Sequence, residues 1–436
     1  MVFPARIVAV SLASLVVFGG VMAGCGGSDD DGPAAAVPGG GVGQGGEGGE
    51  GGGAGVEACE GHASCGADLP YCNAESGACE QPPPGGIIGW GDGTPGSVSL
   101  EAVYEPTFKR QATDLAFHPT RPNELWVLHR QPELDAPCTE KLSKGCSALE
   151  GSVSILTDVG KPTQKAKWKK DPNAWHFMRR PPALAFGAND TFATVGEFRT
   201  GNFTDDLTDF IGPSLWSADP EIFGIQPKGL NGSHLDMLHS TPFGMGIAHE
   251  RDNVYWVLNG DVGALDRYDF KEDHGPGHDD HSDGETLRYA EGEFLRVPGT
   301  PSHVIFDAKS NTVLVADTGN GRIARLDPEG ATEGDDIESY EQVALAHTMI
   351  GGTVTSVVPP GKLKAPTGIE IEGGLIYVSD AETSHIHAFT SDGKPVRELD
   401  TGLPTGSLAG MAIYNGSLYF VELPTSKVYR IVPAKK

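Results

Sequence analysis

From about residue 97 onward the chain alternates short apolar, β-branched runs with clusters of Gly, Pro, Asp and Asn, and helical periodicity is scarce. One unit recurs. A Pro or small residue precedes a first strand, a polar turn follows, a second strand ends in a polar residue, and a third strand closes the unit. The clearest copy runs from Thr300 to Asp327 and contains NTVLVADTGNGRIARLD. Ala365 to Phe389 (APTGIEIEGGLIYVSDAETSHIHAF) is a second, and Ser407 to Ile431 (SLAGMAIYNGSLYFVELPTSKVYRI) a third. Upstream lies Thr241 to Phe270. Fainter copies begin at Ala112 (ATDLAFHPTRPNELWVLH) and Pro182 (PALAFGANDTFATVGE). Six units are therefore expected. The stretch SVSLEAVYE, ahead of the first, can supply the missing outer strand of the last and remove the free edges.

The strings VLVADTGNGRIARLD and IYVSDAETSHIHAF resemble NHL repeats. The resemblance covers roughly residues 97–434, most clearly from about residue 240. It implies an all-β, six-bladed β-propeller, with long insertions in the first two blades. An array of β-sandwiches is the alternative, and the repeated Val-Ala-Asp and Val-Ser-Asp strand ends favour the propeller.

The N-terminus reads differently. Arg6 is the one charge in the first 28 residues, and the apolar run Ile7–Val21 is short for a membrane span, as the core of a signal peptide is. Met22-Ala23-Gly24-Cys25 resembles the lipobox of bacterial lipoproteins, which implies cleavage after residue 24 and lipidation of Cys25. Gly26 follows that cysteine. By analogy with Gram-negative lipoproteins this implies sorting to the outer membrane, so the expected location is the cell envelope, with the protein at the outer membrane or cell surface. Residues 25–58 have almost no large apolar side chains, and a flexible tether is expected.

Cys25 aside, six cysteines remain. Cys59, Cys65, Cys72 and Cys79 fall in a module at 59–80 with too little apolar content to fold unaided, and Cys138 and Cys146 form a separate pair. An exported chain favours disulfides, with three pairings open to the cluster. Zinc with His62 nearby is the competing reading. The cluster resembles Cys-rich modules of myxobacterial surface proteins. A Pro/Gly linker is expected at 81–96.

Charge narrows the partners. The formal net charge is −27, of which the first 96 residues carry −10. Such a chain repels nucleic acid and anionic headgroups, so membrane contact is expected through lipid at Cys25. No phosphate loop, dinucleotide fingerprint or nucleophile elbow occurs, and no nucleotide cofactor is expected. A monomer is expected.

Three features carry candidate chemistry. The second strands end in His129, Glu197, Asn259, Asp317, Asp380 and Glu422, either a polar ring suited to a cation or a set of turn caps. His303 stands where other copies carry Gly244, Gly368 and Gly410, so its side chain should enter the central channel, with Asp114 in the corresponding place of blade one. The segment 269–285, DFKEDHGPGHDDHSDGE, packs seven carboxylates with three histidines. Its candidate metal ligands are His274, His278, Asp279, Asp280, His281 and Asp283, with His303 and His239 as further candidates, and His234 can converge with His239 on the same face. Either Ca²⁺ or Zn²⁺ suits so mixed a set.

The Pro-Ser-His303 start of the fourth unit, followed by Val-Ala-Asp317, is similar to the propeller of peptidyl-α-hydroxyglycine amidating lyases, whose channel histidines bind zinc; of that ligand set only His303 carries over. Two classes of function follow. One is a surface-displayed binding or scaffold module for protein, peptide or glycan. The other is a metal-dependent lyase or hydrolase in the channel. Convergence of the histidines and carboxylates on one point separates them.

Overall fold

The computed structural model describes residues 59–66, 68–131, 150–202, 206 and 208–433. The signal segment (1–24), Cys25 with its tether (25–58) and the pair Cys138 and Cys146 lie outside the described residues. Among the described residues no helix is long and apolar enough to cross a membrane.

The Cys-rich module is a hairpin of β1 (Tyr71–Asn73) and β2 (Ala78–Glu80), stapled by Cys59–Cys72 and Cys65–Cys79. All four sulfurs are thus paired, which leaves no thiolate for zinc. His62 serves the packing instead. Its Nδ1 accepts the Cys72 N–H at 2.8 Å, and its ring lies against Tyr71 and edge-on to Trp90. The 81–96 linker is docked, not loose: Ile88 is 1 % exposed, in one cluster with Leu399, Leu408 and Phe420.

Six antiparallel blades follow. β3 (Val98–Tyr104) comes first in the chain and belongs to the last of them. Blade one is β4 (Gln111–Phe117), β5 (Glu124–Arg130), β6 (Ser152–Thr157) and β7 (Lys165–Lys169). A four-residue helix, α1 (Ala174–Phe177), leads to blade two, β8 (Leu184–Phe186), β9 (Thr191–Thr194), β10 (Ser214–Ser217) and β11 (His234–Met237). Blade three begins as β12 (Gly244–Arg251), β13 (Val254–Asn259), β14 (Ala264–Asp269) and β15 (Glu285–Tyr289). Blade four is β16 (Val304–Asp307), β17 (Thr312–Asp317), β18 (Arg322–Asp327) and, after an insertion comprising β19 (Thr332–Asp336) and β20 (Leu345–Ile350), β21 (Thr353–Val358). Blade five is β22 (Pro366–Glu372), β23 (Leu375–Asp380), β24 (His385–Thr390) and β25 (Pro395–Asp400). Blade six is β26 (Leu408–Tyr414), β27 (Ser417–Glu422) and β28 (Lys427–Pro433), completed by β3. The chain is therefore an all-β six-bladed propeller.

Why the second strands are apolar on both faces is visible in the core, which is split among six clusters, one per seam between neighbouring blades. Along β5, Leu125 and Val127 face blade six while Trp126 and Leu128 face blade two. Along β13, Tyr255 and Val257 face blade two while Trp256 and Leu258 face blade four. The period-two alternation of a strand thus feeds two different seams, and both must be apolar.

Two connections depart from a simple ring. β3 pairs antiparallel with β28, Tyr104 meeting Val428 and Val98 meeting Pro433, so the first and last strands of the propeller close the circle. The blade-four insertion crosses to its neighbour: β20 pairs in parallel with β15, and β19 pairs with β20. Blade three becomes six-stranded, and the loop 337–344 between β19 and β20 arrives where blade three meets blade two.

Candidate functional site: a histidine and carboxylate cluster between blades two and three

The strand-end residues are buried and engaged. The Asp317 carboxylate accepts the Leu295 N–H at 2.9 Å and Arg322 Nε at 2.7 Å. Asp380 accepts backbone N–H groups from Lys364, Ala365, Glu382 and Thr383. Glu197, three residues beyond β9, holds Arg130 at 2.8 Å and the Gly299 N–H at 2.6 Å. Asn259 caps Asp261 and Val262, and Glu422 takes the Thr425 hydroxyl. His129 meets Ser154 at 2.9 Å, and burial, with Arg110 adding to it, pulls its imidazole down to about 3. Each of the four carboxylate and amide caps from Glu197 to Asp380 receives a backbone N–H of a turn or of an incoming inter-blade loop.

The channel holds a second group. His303 Nδ1 lies 3.5 Å from Asp114 Oδ1, and its Nε2 is buried without a hydrogen-bond partner. Gly410 makes this approach possible, because a Cβ there would sit 2.3 Å from Asp114 Oδ1 and 2.8 Å from His303 Cε1. In blade three the equivalent position is Gly246, not Gly244. A bulge between Gly244 and Ile247 shifts the register, and a Cβ on Gly246 would meet the His303 backbone. A cavity of about 190 Å³ opens beside the pair, lined by Glu370 and His249 among others. Burial pushes the Glu370 carboxyl up to about 8, with Asp114 and Glu372 adding to the effect. Between its ordinary value of 4.5 and about 8, the folded chain holds a proton that the unfolded chain lacks, so stability falls as pH rises across that window. Glu370→Gln should remove this slope. The stability difference between variant and parent should change by about 1.4 kcal/mol per pH unit. Urea melts at about pH 5 and pH 8 measure it, and parallel curves would show a freely solvated Glu370.

The densest chemistry lies at the seam of blades two and three. Strand β11 carries His234 and Asp236 on one face, two residues apart. The acidic loop between β14 and β15 lies along this strand. The Gly277 N–H donates to the His234 carbonyl at 2.7 Å, and the Asn231 N–H to the Gly277 carbonyl at 3.0 Å. Gly277 has φ +82°, and a Cβ there would come within 2.9 Å of Gly232 O and Leu230, so glycine is what lets the loop lie so close. This places three ligand groups together. Asp236, His274 and Asp283 offer atoms all within 4.8 Å of one another. Asp236 is 0 % exposed; its Oδ1 takes His281 Nδ1 at 2.6 Å, and its Oδ2 has no partner. His274 Nε2 lies 3.0 Å from Asp283 Oδ1. Burial raises the Asp236 carboxyl, with His281 opposing. At His281 and His274 burial pulls downward, but the hydrogen bonds and charges of Asp236 and Asp283 outweigh it and both imidazoles end up raised.

Two further imidazoles, His176 and His239, adjoin this group. His176 Nδ1 donates to the Gly201 carbonyl at 2.8 Å and His239 Nδ1 to the Phe210 carbonyl at 2.6 Å, so in each ring the backbone engages Nδ1. The rings of His176 and His239 are 5.8 Å apart, and those of His239 and His281 6.1 Å. Glu341, on the loop between β19 and β20, stands 3.3 Å from His281 Nε2 and 3.9 Å from His239 Nε2. Burial, with neighbouring imidazoles adding to it, drives His176 and His234 down to about 3, so both are neutral near pH 7. His234 is stacked on Phe177 at 3.7 Å. A cleft of about 250 Å³ opens here, lined by Asp279, Asp280, His281, Ser282, Glu341 and Gln342.

The structure thus brings His274, His281, Asp283 and His239 to one seam, with Asp279 and Asp280 exposed at its edge and His278 exposed beside them. His303 stays with Asp114 in the channel. Asp236, Glu341 and His176 were not singled out from sequence. Asp236 had a usable signal, the alternation His-Leu-Asp within SHLDMLHST. Glu341 had none, because a cross-blade insertion delivers it.

No protein-family model matches the chain, and no curated protein matches it in sequence. Among solved structures, similar chains include an auxiliary nutrient-binding protein from Bacteroides ovatus (11 % identity, 78 % of this chain and 74 % of that one, TM-score 0.45). The virginiamycin B lyase of Staphylococcus aureus is another (12 %, 77 % and 99 %, 0.42), as is a calcium-binding protein, regucalcin, from Agrobacterium tumefaciens (11 %, 78 % and 95 %, 0.44).

Proposed function

We propose that the protein is an envelope-displayed binding propeller, tethered through lipid at Cys25, that holds a divalent cation between blades two and three and uses that seam to engage a protein, peptide or glycan. One observation carries the reading: the fully buried Asp236 carboxylate faces His274 and Asp283 with one oxygen unpartnered. Buried carboxylate oxygens without partners are rare, and a cation satisfies both the oxygen and the crowding of like charge. Imidazole with two carboxylates suits a transition-metal dication or calcium. His281 and Glu341 line the adjoining cleft, so a ligand bound there stands beside the ion.

The full chain, purified without a histidine tag, should contain a metal by elemental analysis. Stripping it with a chelator should lower Tm by about 4 °C, and adding back the ion should restore it. That figure follows from about 2.7 kcal/mol of linkage at an ion concentration 100 times Kd, spread over an unfolding entropy of about 2.1 cal/mol/K per residue. A metal-free protein indifferent to calcium, zinc and manganese would overturn the cation and with it the proposed binding mode.

A further inference from the structure

The outer strands of blade five carry a cluster that the seam site does not use. On β24, His385 and His387 stand two residues apart and so project from the same face. On the adjacent β25, Glu398 and Asp400 do likewise. The register sets His385 opposite Asp400 and His387 opposite Glu398. Ligand atoms of His385, His387 and Glu398 lie within 4.8 Å of one another. His385 Nδ1 is 2.5 Å from Glu398 Oε1, its Nε2 is 3.8 Å from Asp400 Oδ1, and His387 Nδ1 is 3.9 Å from Glu398 Oε2. One glutamate therefore faces both Nδ1 atoms, and an aspartate stands behind the first imidazole. Carboxylate–histidine–metal relays are built in this way, the outer acid orienting the ring and raising its basicity.

A second observation points to a ligand. The His387 side chain is 12 % exposed, yet neither of its nitrogens makes a hydrogen bond, and Nε2 is wholly shielded. An imidazole serving only to pack would normally be tied to a carbonyl or hydroxyl, as His176 and His239 are.

We propose that the outer strands of blade five, on the side that faces blade four, form a second, separate site for a transition-metal dication, with His385, His387 and Glu398 as ligands and Asp400 orienting His385. Two imidazoles and one carboxylate match the borderline-soft ions, zinc, copper, nickel and cobalt, and are poor in the oxygens that calcium requires. Three protein ligands leave a coordination position open, so the bound ion can accept a further donor from outside.

The test is Co²⁺ titration of the full chain, followed by visible d–d absorption. Asp236→Asn separates this site from the seam, because the blade-five signal should survive it. His387→Ala and Glu398→Gln should each remove one equivalent of Co²⁺ or weaken it at least about 100-fold, and excess Ca²⁺ should not compete. Wild-type stoichiometry and spectrum in Glu398→Gln would overturn the proposal, as would displacement by Ca²⁺. Glu398 is 55 % exposed, so that variant should fold even if His387→Ala does not, and circular dichroism checks both.

Discussion

Asp236→Asn should cost the protein one bound cation while leaving its fold intact, and should make the metal-free chain more stable than its metal-free parent. Asparagine keeps the shape of the side chain and still accepts from His281 through its amide oxygen. It cannot supply the anionic oxygen that faces His274 and Asp283. The second half of the expectation follows from burial. A carboxylate that is 0 % exposed, with one oxygen unpartnered and the Asp283 carboxylate close by, is costly to ionise inside a protein even with His281 on its other oxygen. Removing the charge should relieve about 1 to 3 kcal/mol in the chelated state. A ligand role and a packing role therefore predict opposite signs: a ligand variant gains apo stability and loses metal, whereas a packing variant loses stability and keeps metal. Calorimetric melts with and without chelator, alongside elemental analysis, read both. Metal retained in full would sink the assignment.

Val103→Asp should lower Tm by roughly 6 °C, whereas Ala102→Asp next to it should be nearly silent. Val103 is 7 % exposed and packs with Leu115, Leu156, Val421 and Val428 in the seam that joins the last blade to the first; Ala102 points outward. Placing a carboxyl in that seam costs about 4 kcal/mol of burial without a partner. With an unfolding entropy of about 2.1 cal/mol/K per residue, this becomes the stated shift. Equal effects from the two substitutions would mean that β3 is held by its backbone ladder alone.

The blade plan was legible because a propeller repeats one instruction six times. Val-Leu-Val-Ala-Asp317 and Ile-Tyr-Val-Ser-Asp380 announce a buried strand that ends in a capping acid, and the role of β3 follows from counting strands. Blade two was harder to delimit: β8 is three residues long and Glu197 lies past the end of its strand, because insertions displace the turn. The linker read as open from its prolines and glycines, yet Ile88 anchors it, and one buried apolar side chain is too small a signal to see in advance. The candidate site divided along similar lines. Loop 269–285 drew notice through its own composition. Its partners came from two other blades, Asp236 from β11 and Glu341 from a hairpin that leaves blade four, and no local pattern encodes a meeting of that kind.

Closure of the ring by β3 also sets an order in time. β3 is the first blade strand to emerge from a ribosome or an export channel, and its partner β28 is the last. Until then β3 lacks its hydrogen-bonded neighbour, Val103 has only the blade-one side of its seam (Leu115, Leu156) to lie against, and blades one to five can stack only as an open arc with two raw edges. Completion is thus a single late event that waits on β28, and a chain truncated before Lys427 should be retained as an aggregation-prone intermediate, not released as a smaller propeller.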